Sequence, residues 1–411
     1  MFKDKYLDMS SIITDPAVLN LFEIVEAHGG VLRFVGGAVR DALAGLKGFD
    51  LDLATDMSPD ELVEACEENN LKTIPIGIKF GTVGVVINDN VLEVTSLRKD
   101  IETDGRHAKV EFTTDWNEDA SRRDLTINAV YADEKGNVFD YYNGINDLEK
   151  GIVRFIGNPT QRIQEDYLRI LRFFRFYSIF GKTEIDAKAL EACRNNNAGL
   201  KKISIERIRD EFFKILQTPN VIKTVKIMLD NEILSYILPP APHFDCLENL
   251  INLVRRRKLE ESALRRLFAL YLPDEKLADS FATRLKLSKK NKELFVALAC
   301  YNPPLTDFTN PQTLRKLLYR FGREFCRHKF IITCAVQNEE PQNFTEILAQ
   351  IADFEIPEFD IKGRDIINAG IDDNRKIGTI IDALEQIWID SNFSLSKEEL
   401  LQQVHGCMKI A

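Results

Sequence analysis

The feature that most constrains this chain is a change of period near residue 159. From about 31 to 155, short runs rich in branched and aromatic residues (LRFV, FDLDL, TVGVVI, VLEVTSL and VRFI) alternate with short helical stretches, the signature of strands in a small α/β domain. Between the second and third runs, Ser58-Pro59-Asp60-Glu61 reads as a helix start, with a capping box and proline at the first helical position. Beyond about 159 apolar residues recur every three or four positions, as at Leu168, Leu171 and Phe174 and through the segment opened by Ser204. That spacing predicts helix almost to the end.

A chain of 411 residues exceeds one ordinary core and predicts two to four units. Prolines at 219, across 239–242, at 273 and at 303–304 mark segment borders. With 29% charged residues and no long apolar run, no membrane span is expected. The charged N-terminus lacks a signal-peptide core. Seven scattered cysteines without a CxxC pair suit reduced thiols, so a cytoplasmic setting is expected. None of the five histidines precedes an aspartate, which leaves no HD-type metal hydrolase motif.

The net charge of −10 opposes nucleic-acid binding in bulk, because phosphate contact rests on lysine and arginine. Local charge counts for more than the total. Basic clusters recur in the helical half, at Lys201-Lys202, Arg255 to Lys258, Arg265-Arg266, and Lys286 with Lys289-Lys290. Singly, each reads as a solvated helix face; together they outline a track for RNA.

The chemistry-bearing segments begin with Gly36-Gly37-Ala38-Val39-Arg40-Asp41, directly after LRFV, followed by Asp50-Leu51-Asp52 on the next strand. Glycines let backbone approach a phosphate closely, and the helix start beyond them offers N–H groups to an anion. Alternation along a strand puts Asp50 and Asp52 on one face. Two such carboxylates suit Mg²⁺, with Glu93 of VLEVTSLR as a third candidate. Separately, a Gly-Gly pair is an ordinary tight turn and a DxD pair an ordinary strand edge.

Their order, strand, GGxVRD, then strand with DxD, resembles the nucleotidyltransferase superfamily of DNA polymerase β type. Within it the chain resembles the class II group that holds CCA-adding enzymes and bacterial poly(A) polymerases. The resemblance implies an α+β fold: a small mixed-sheet head at 1–155, then an all-helical neck at 156–218, body at 219–335 and tail at 336–411. It implies two Mg²⁺ ions, CTP and ATP as substrates and the tRNA 3′ end as acceptor, with no membrane and no protein partner. Arg122-Arg123-Asp124-Leu125-Thr126-Ile127-Asn128-Ala129 matches the group's ribose-recognition segment, implicating Arg123, Asp124 and Asn128; read alone it is an amphipathic helix start. Gly36, Gly37 and Arg40 are then expected at the triphosphate.

A helix is expected from Glu165, with Asp166, Arg169, Arg172 and Arg175 recurring every three residues as a drifting polar stripe. Ion pairing within that stripe is its plain structural reading. The functional reading rests on base edges. Cytosine and adenine both present an amino donor beside a ring-nitrogen acceptor, which a carboxylate (Asp166) and a guanidinium (Arg169) complement. Guanine and uracil oppose like to like. Base-reading helices of this kind mark the class II group; Arg172 and Arg175 would hold the rest of the nucleotide. The polar segment Arg98 to Ala108, with Arg98, Asp100, Asp104, Gly105 and Arg106, is an ordinary loop by composition and resembles the flexible loop of full CCA-adding enzymes. The segment Asp140 to Ile156 resembles a head-to-neck connector, and Ser204 to Ile208 the neck helix supporting the base reader. Ile361 to Ile367 with Gly370 resembles the family's tail segment, although Asp372 to Arg375 departs from it.

Three alternatives stay open at this stage. They are a bacterial poly(A) polymerase, a partial CC-adding or A-adding enzyme, and a non-catalytic RNA-binding homologue.

Overall fold

The computed structural model describes residues 6–9, 12–13, 15–46, 51–88, 90–104, 107–238, 242–371 and 373–407; for 100–104, 107–109, 236 and 374 only the backbone is described. Two compact units divide the chain, Met1–Pro240 and Ala241–Ala411.

In the first unit, β1 (Leu32–Val35), β2 (Asp52–Thr55), β3 (Lys72–Gly77), β4 (Thr82–Ile87), β5 (Asn90–Ser96), β8 (Val130–Ala132) and β9 (Val138–Asp140) form one sheet in the order β3-β4-β5-β2-β1-β8-β9. Pairing is antiparallel except between β2 and β5, so the sheet is mixed. Side chains alternate between its faces. Leu32, Phe34, Leu53, Val83, Val85, Leu92, Val94 and Val130 enter one core with α1 (Ala17–Ala27) and α3 (Pro59–Glu68). Val35, Ala54 and Tyr131 point the other way, into a second core with Trp116, Ala120 and Ile156. Asp52 and Glu93, one residue out of step with Leu53 and Val94, therefore belong to the second face.

The capping box before α3 is formed as expected. The Glu61 amide donates to Ser58 Oγ at 3.4 Å, and the Ser58 amide donates to Glu61 Oε2 at 2.8 Å. Those Ser58 bonds, backbone first, also lower the Glu61 pKa.

The remaining helices of this unit are α2 (Gly37–Leu43), α4 (Trp116–Ser121), α5 (Gly144–Lys150), α6 (Pro159–Glu165), α7 (Arg169–Phe180), α8 (Ala187–Asn196), α9 (Ile205–Leu216) and α10 (Val221–Asp230). Helix α7 buries Ile170, Leu171, Phe173, Phe174, Phe176 and Phe180, and Phe173 stacks on Phe155 with centroids 5.4 Å apart. At about 1.5–3 kcal/mol for each large apolar side chain buried, this face fixes α7 against the connector. The second unit, among its described residues, is helical throughout: α11 (Phe244–Arg257), α12 (Ala263–Tyr271), α13 (Glu275–Arg284), α14 (Lys289–Cys300), α15 (Leu305–Thr309), α16 (Pro311–Gln337), α17 (Phe344–Asp353), α18 (Gly363–Asn368), α19 (Asn374–Asp390), α20 (Lys397–Leu401) and α21 (Val404–Cys407). Helix α16 breaks at Gly322, whose φ of 77° and ψ of 169° favour a residue without Cβ.

The local expectations fail in three places. VRFI forms no strand; only Phe155 bridges Leu125, because the chain there is already turning toward the helical segment. The polar segment after Glu93 is an antiparallel hairpin of β6 (Arg98–Asp104) and β7 (His107–Phe112); its polarity conceals strands that pair only with each other. The single helix expected from Glu165 is two helices, broken where Asp166 takes an extended φ of −152° and ψ of 107°. No membrane-spanning helix occurs among the described residues.

Candidate active site

The turn leaving β1 sets the site. Gly36 has φ 65° and ψ −117°, a conformation open to glycine, and its amide donates to the Val130 carbonyl at 3.2 Å. A Cβ there would lie 3.5 Å from Nη1 of Arg123, so the turn runs directly beneath a guanidinium. Gly37 opens α2, where a Cβ would come within 3.8 Å of Nη2 of Arg40.

Across the same sheet face lie the carboxylates. Asp52 begins β2 and is the register partner of Glu93 on β5, and both are exposed. Partners in neighbouring strands point to the same side, so the two acids share the face beside the Gly36 turn. Asp50 lies outside the described residues. Among the described residues no group of three His, Cys, Asp or Glu is placed to hold a metal. Asp52 and Glu93 nonetheless offer the hard oxygen donors that a magnesium ion takes.

Behind the turn, two buried aspartates organise the arginines. Asp119 is 1% exposed. Its Oδ1 accepts from Arg122 Nε and Nη2 at 2.9 and 2.5 Å, and its Oδ2 from Arg123 Nη2 at 3.0 Å and the Tyr131 hydroxyl at 2.8 Å. Burial alone would raise this carboxyl, but the two guanidiniums and the tyrosine outweigh it and hold it well below the usual carboxylate range.

Asp124, also buried, takes the Asn128 amide on Oδ1 at 2.9 Å and Arg172 Nε on Oδ2 at 2.6 Å. Its carboxyl is likewise pushed up by burial and, on balance, held low by Arg172 and Asn128. Asn128 passes the connection on, accepting from Arg40 Nη1 at 2.5 Å. Arg40 is buried, chelates Asp41 at 2.8 and 2.9 Å, and faces the rings of Phe176 and Phe180 at 4.7 and 5.1 Å. Asp124 and Asn128 meet as expected, though not along an α-helix: Leu125 is extended and Thr126–Asn128 is one 3₁₀ turn.

The residues expected in the base-reading stripe each hold a partner outside it. Asp166 Oδ2 accepts from Arg207 Nη2 at 2.7 Å, and its Oδ1 caps the Leu168 amide at 3.1 Å. Arg169 Nη1 donates to Glu165 at 2.5 Å and to the Arg162 carbonyl, while Nη2 reaches the Arg122 carbonyl at 3.1 Å. Arg172 is bound to Asp124, and Arg175 donates to Glu211 at 3.0 Å. Burial lowers the Arg175 pKa despite that glutamate. Asp166 and Arg169 are thus near neighbours, joined by the Arg169 amide to the Asp166 carbonyl at 3.0 Å, whose side chains take other partners.

In the hairpin, Arg98 starts β6, and its carbonyl accepts from Arg122 Nε at 3.0 Å. Asp100 and Asp104 also lie on β6; Gly105 and Arg106 fall outside the described residues.

Motif reading passed over Asp119, Tyr131, Glu165, Arg207 and Glu211. Asp119 stands three and four residues before Arg122 and Arg123, and Glu165 stands four before Arg169, spacings that announce helical ion pairs. Nothing local announces Tyr131, Arg207 or Glu211, which reach their partners across the fold.

Residues 32–154 match the family described as the poly(A) polymerase head domain, and residues 183–244 that described as the probable RNA and SrmB-binding site of polymerase A. The human protein named CCA tRNA nucleotidyltransferase 1, mitochondrial, is 35% identical over 97% of this chain and 91% of its own length. The CCA-adding enzyme of Streptococcus pneumoniae is 30% identical over 93% of this chain and 95% of its own. A solved CCA-adding enzyme of Bacillus stearothermophilus in complex with CTP superposes with a TM-score of 0.78 at 26% identity, covering 96% of this chain and 98% of that one. With likeness running through both units, this chain belongs to the class II CCA-adding enzymes of the polymerase β-type nucleotidyltransferase family.

Proposed function

We propose that this protein adds C, C and A to the 3′ end of tRNA from CTP and ATP, without a template and with release of pyrophosphate. The observation carrying this reading is the unbroken set of contacts from the Gly36 turn through Arg123 and Asp119, and from Arg40 through Asn128 and Asp124 to Arg172. It joins the carboxylate-bearing sheet face to the helix expected to read the base. Full-length likeness to CCA-adding enzymes supports the same conclusion.

Enzymes of this family work with a divalent metal. We assign two Mg²⁺ ions here to Asp52 and Asp50, assisted by Glu93. Bound there, Mg²⁺ would lower the pKa of the RNA 3′ hydroxyl and neutralise charge on the departing pyrophosphate. The chain's own groups do the rest. The Gly36-Gly37 turn and Arg40 face the triphosphate, and Arg123, Asp124 and Asn128 the ribose.

Asp166 accepts from the amino group of C or A, and Arg169 donates to the ring nitrogen. Their present bonds leave capacity for this. A carboxylate oxygen accepts more than one hydrogen bond, and Arg169 spends three of its five N–H donors on described partners. The β6–β7 hairpin, with Arg98, Asp100, Asp104, Gly105 and Arg106, is assigned to the change from C to A. We retain the functional segments as head 1–155, neck 156–218, and body 219–335 with tail 336–411 for RNA. The cytoplasmic reading rests on seven unpaired cysteines, and fractionation of the source cells decides between cytoplasm and mitochondrion.

The test is incubation with tRNA transcripts ending before CCA, given CTP, ATP or both, followed by sequencing of the 3′ ends. Three nucleotides in the mixed reaction, and none on RNA that is not tRNA, are expected. Long A tails would instead identify a poly(A) polymerase, arrest after CC or exclusive A addition a partial enzyme, and no addition a non-catalytic homologue.

A further inference from the structure

A cavity of about 790 Å³ opens in the second unit between α12, α16 and α17. One wall is apolar, built from Leu348, Ala349 and Ile351 of α17; facing it stand Arg265 of α12 and Arg323, Arg327 and His328 of α16. Its volume falls within the roughly 300–1,000 Å³ of sites that hold an organic ligand.

Among the described residues, the cationic wall is neutralised from within only at Arg327. Arg265 is 3% exposed. One Nη2 hydrogen goes to the Glu260 carbonyl, its Nε has no partner, and no carboxylate among the described residues pairs with it. Two of the lining carboxylates are engaged by cations outside the cavity, Glu261 with Arg266 at 2.7 Å and Glu324 with Lys290 at 2.7 Å, while Glu260 pairs with Arg327 of the wall itself at 3.6 Å. Arg323 donates to the Ala352 carbonyl at 3.0 Å, and none of the described carboxylates pairs with it. His328 Nδ1 is buried without a partner.

A buried guanidinium with no carboxylate paired to it is costly, and Glu261 and Glu260 offset that cost for Arg265 only in part. Burial first, then the like charge of Arg327, pushes Arg265 down to about 10. Burial and Arg265 push His328 down to about 4. The wall therefore carries positive charge that an incoming anion would relieve.

We propose that this cavity binds a phosphate ester, with Arg265, Arg323 and Arg327 taking the oxyanion and the α17 wall packing against the organic remainder. Guanidinium forks match phosphate oxygens in pairs, and the apolar wall supplies what a bare anion would not use. The ester has two sources, a nucleotide of an RNA backbone or a free phosphorylated small molecule. The inference does not depend on the chemistry of the head.

The test uses the full chain without nucleotide. Melting is followed in inorganic phosphate and in chloride of matched ionic strength. A rise of several degrees is expected for the unaltered protein. The variant Arg323→Gln with Arg327→Gln, both exposed side chains, is expected to lose at least half of that rise. Arg265→Met, if it folds, is expected to lose all of it. An equal rise in the double variant, or no rise in the unaltered protein, overturns the proposal. Repeating the comparison with saturating tRNA separates the sources. Phosphate adds nothing if the RNA backbone occupies the cavity, and adds its full increment if the ligand is a free small molecule.

Discussion

Replacing Asp119 by Asn tests the head's arginine scaffold most directly. The carboxylate is 1% exposed and serves Arg122 on one oxygen and Arg123 with Tyr131 on the other. Asn keeps the shape but turns one acceptor into a donor, so whichever way the amide is set, one guanidinium faces a like group. Breaking a buried ion pair from one side costs about 3–5 kcal/mol. The Arg122 and Arg123 side chains remain 16% and 19% exposed and recover some hydration, which points to the lower end of that range.

A chain of two units does not unfold as one transition, so the reporter must be local. Its two tryptophans are Trp116, 5.3 Å from the Tyr131 ring, and Trp388 in the second unit. In a Trp388→Phe background, urea unfolding followed by Trp116 fluorescence should show Asp119→Asn less stable by roughly 3 kcal/mol. The pH dependence has a definite sign. Asp119 titrates below its ordinary value of 3.8 in the folded chain. Its contribution is therefore fully present above that value and is lost as pH falls toward the lower folded pKa. The gap between the two proteins should close only on that acid limb. Unfolding free energies within about 0.5 kcal/mol of each other at neutral pH, the usual span for a surface substitution, would refute the scaffold.

The other expectations are briefer. Asp52→Ala should reduce nucleotide addition by about 10³-fold or more, since metal-assisted charge stabilisation is worth several kcal/mol, while filter binding of tRNA stays unchanged; residual turnover near normal would remove Asp52 from the metal site. Asp166→Ala should erode the preference for C and A over G and U by about 10- to 100-fold, the value of a hydrogen bond to a charged group, read by sequencing products from mixed nucleotides. Lys329 is buried, donates only to the Leu298 carbonyl and Asn302 Oδ1, and is lowered by burial to about 8. Its folded pKa lies below the unfolded 10.5, so the second unit should gain stability as pH rises between those values, and Lys329→Met should remove that gain; identical pH profiles would contradict it. Ser58→Ala removes the Oγ half of the α3 capping box, leaving the bond from its own amide to Glu61, and should cost about 1 kcal/mol in urea unfolding.

How much of this was legible in the sequence depended on the distance over which each signal acts. The Ser58 capping box, the β1 strand with its glycine turn, the helix α9 and the buried Leu171 and Phe174 are local patterns, and each is found as read. Three strands of the sheet were not legible. Lys72–Gly77 carries a proline, and Val130–Ala132 and Val138–Asp140 are only three residues long, too short for alternation to declare itself. The hairpin from Arg98 hid behind its polarity because its strands need no core on either face to pair. The stripe of Asp166, Arg169, Arg172 and Arg175 was read as one helix because spacing alone cannot see Asp166 leave the helical region. That break decides which partners the two groups take. It turns Asp166 toward Arg207 on α9, while Arg169 turns back to Glu165 and the Arg122 carbonyl. A continuous helix would have bound these two groups into one rigid face. The two helices stay joined through Arg169, which bonds Glu165 and the Arg162 carbonyl of α6, while Asp166 at the break is held by Arg207 of α9. On the proposed base-reading role, the carboxylate and the guanidinium are thus each oriented by a different partner, Arg207 for one and Glu165 for the other.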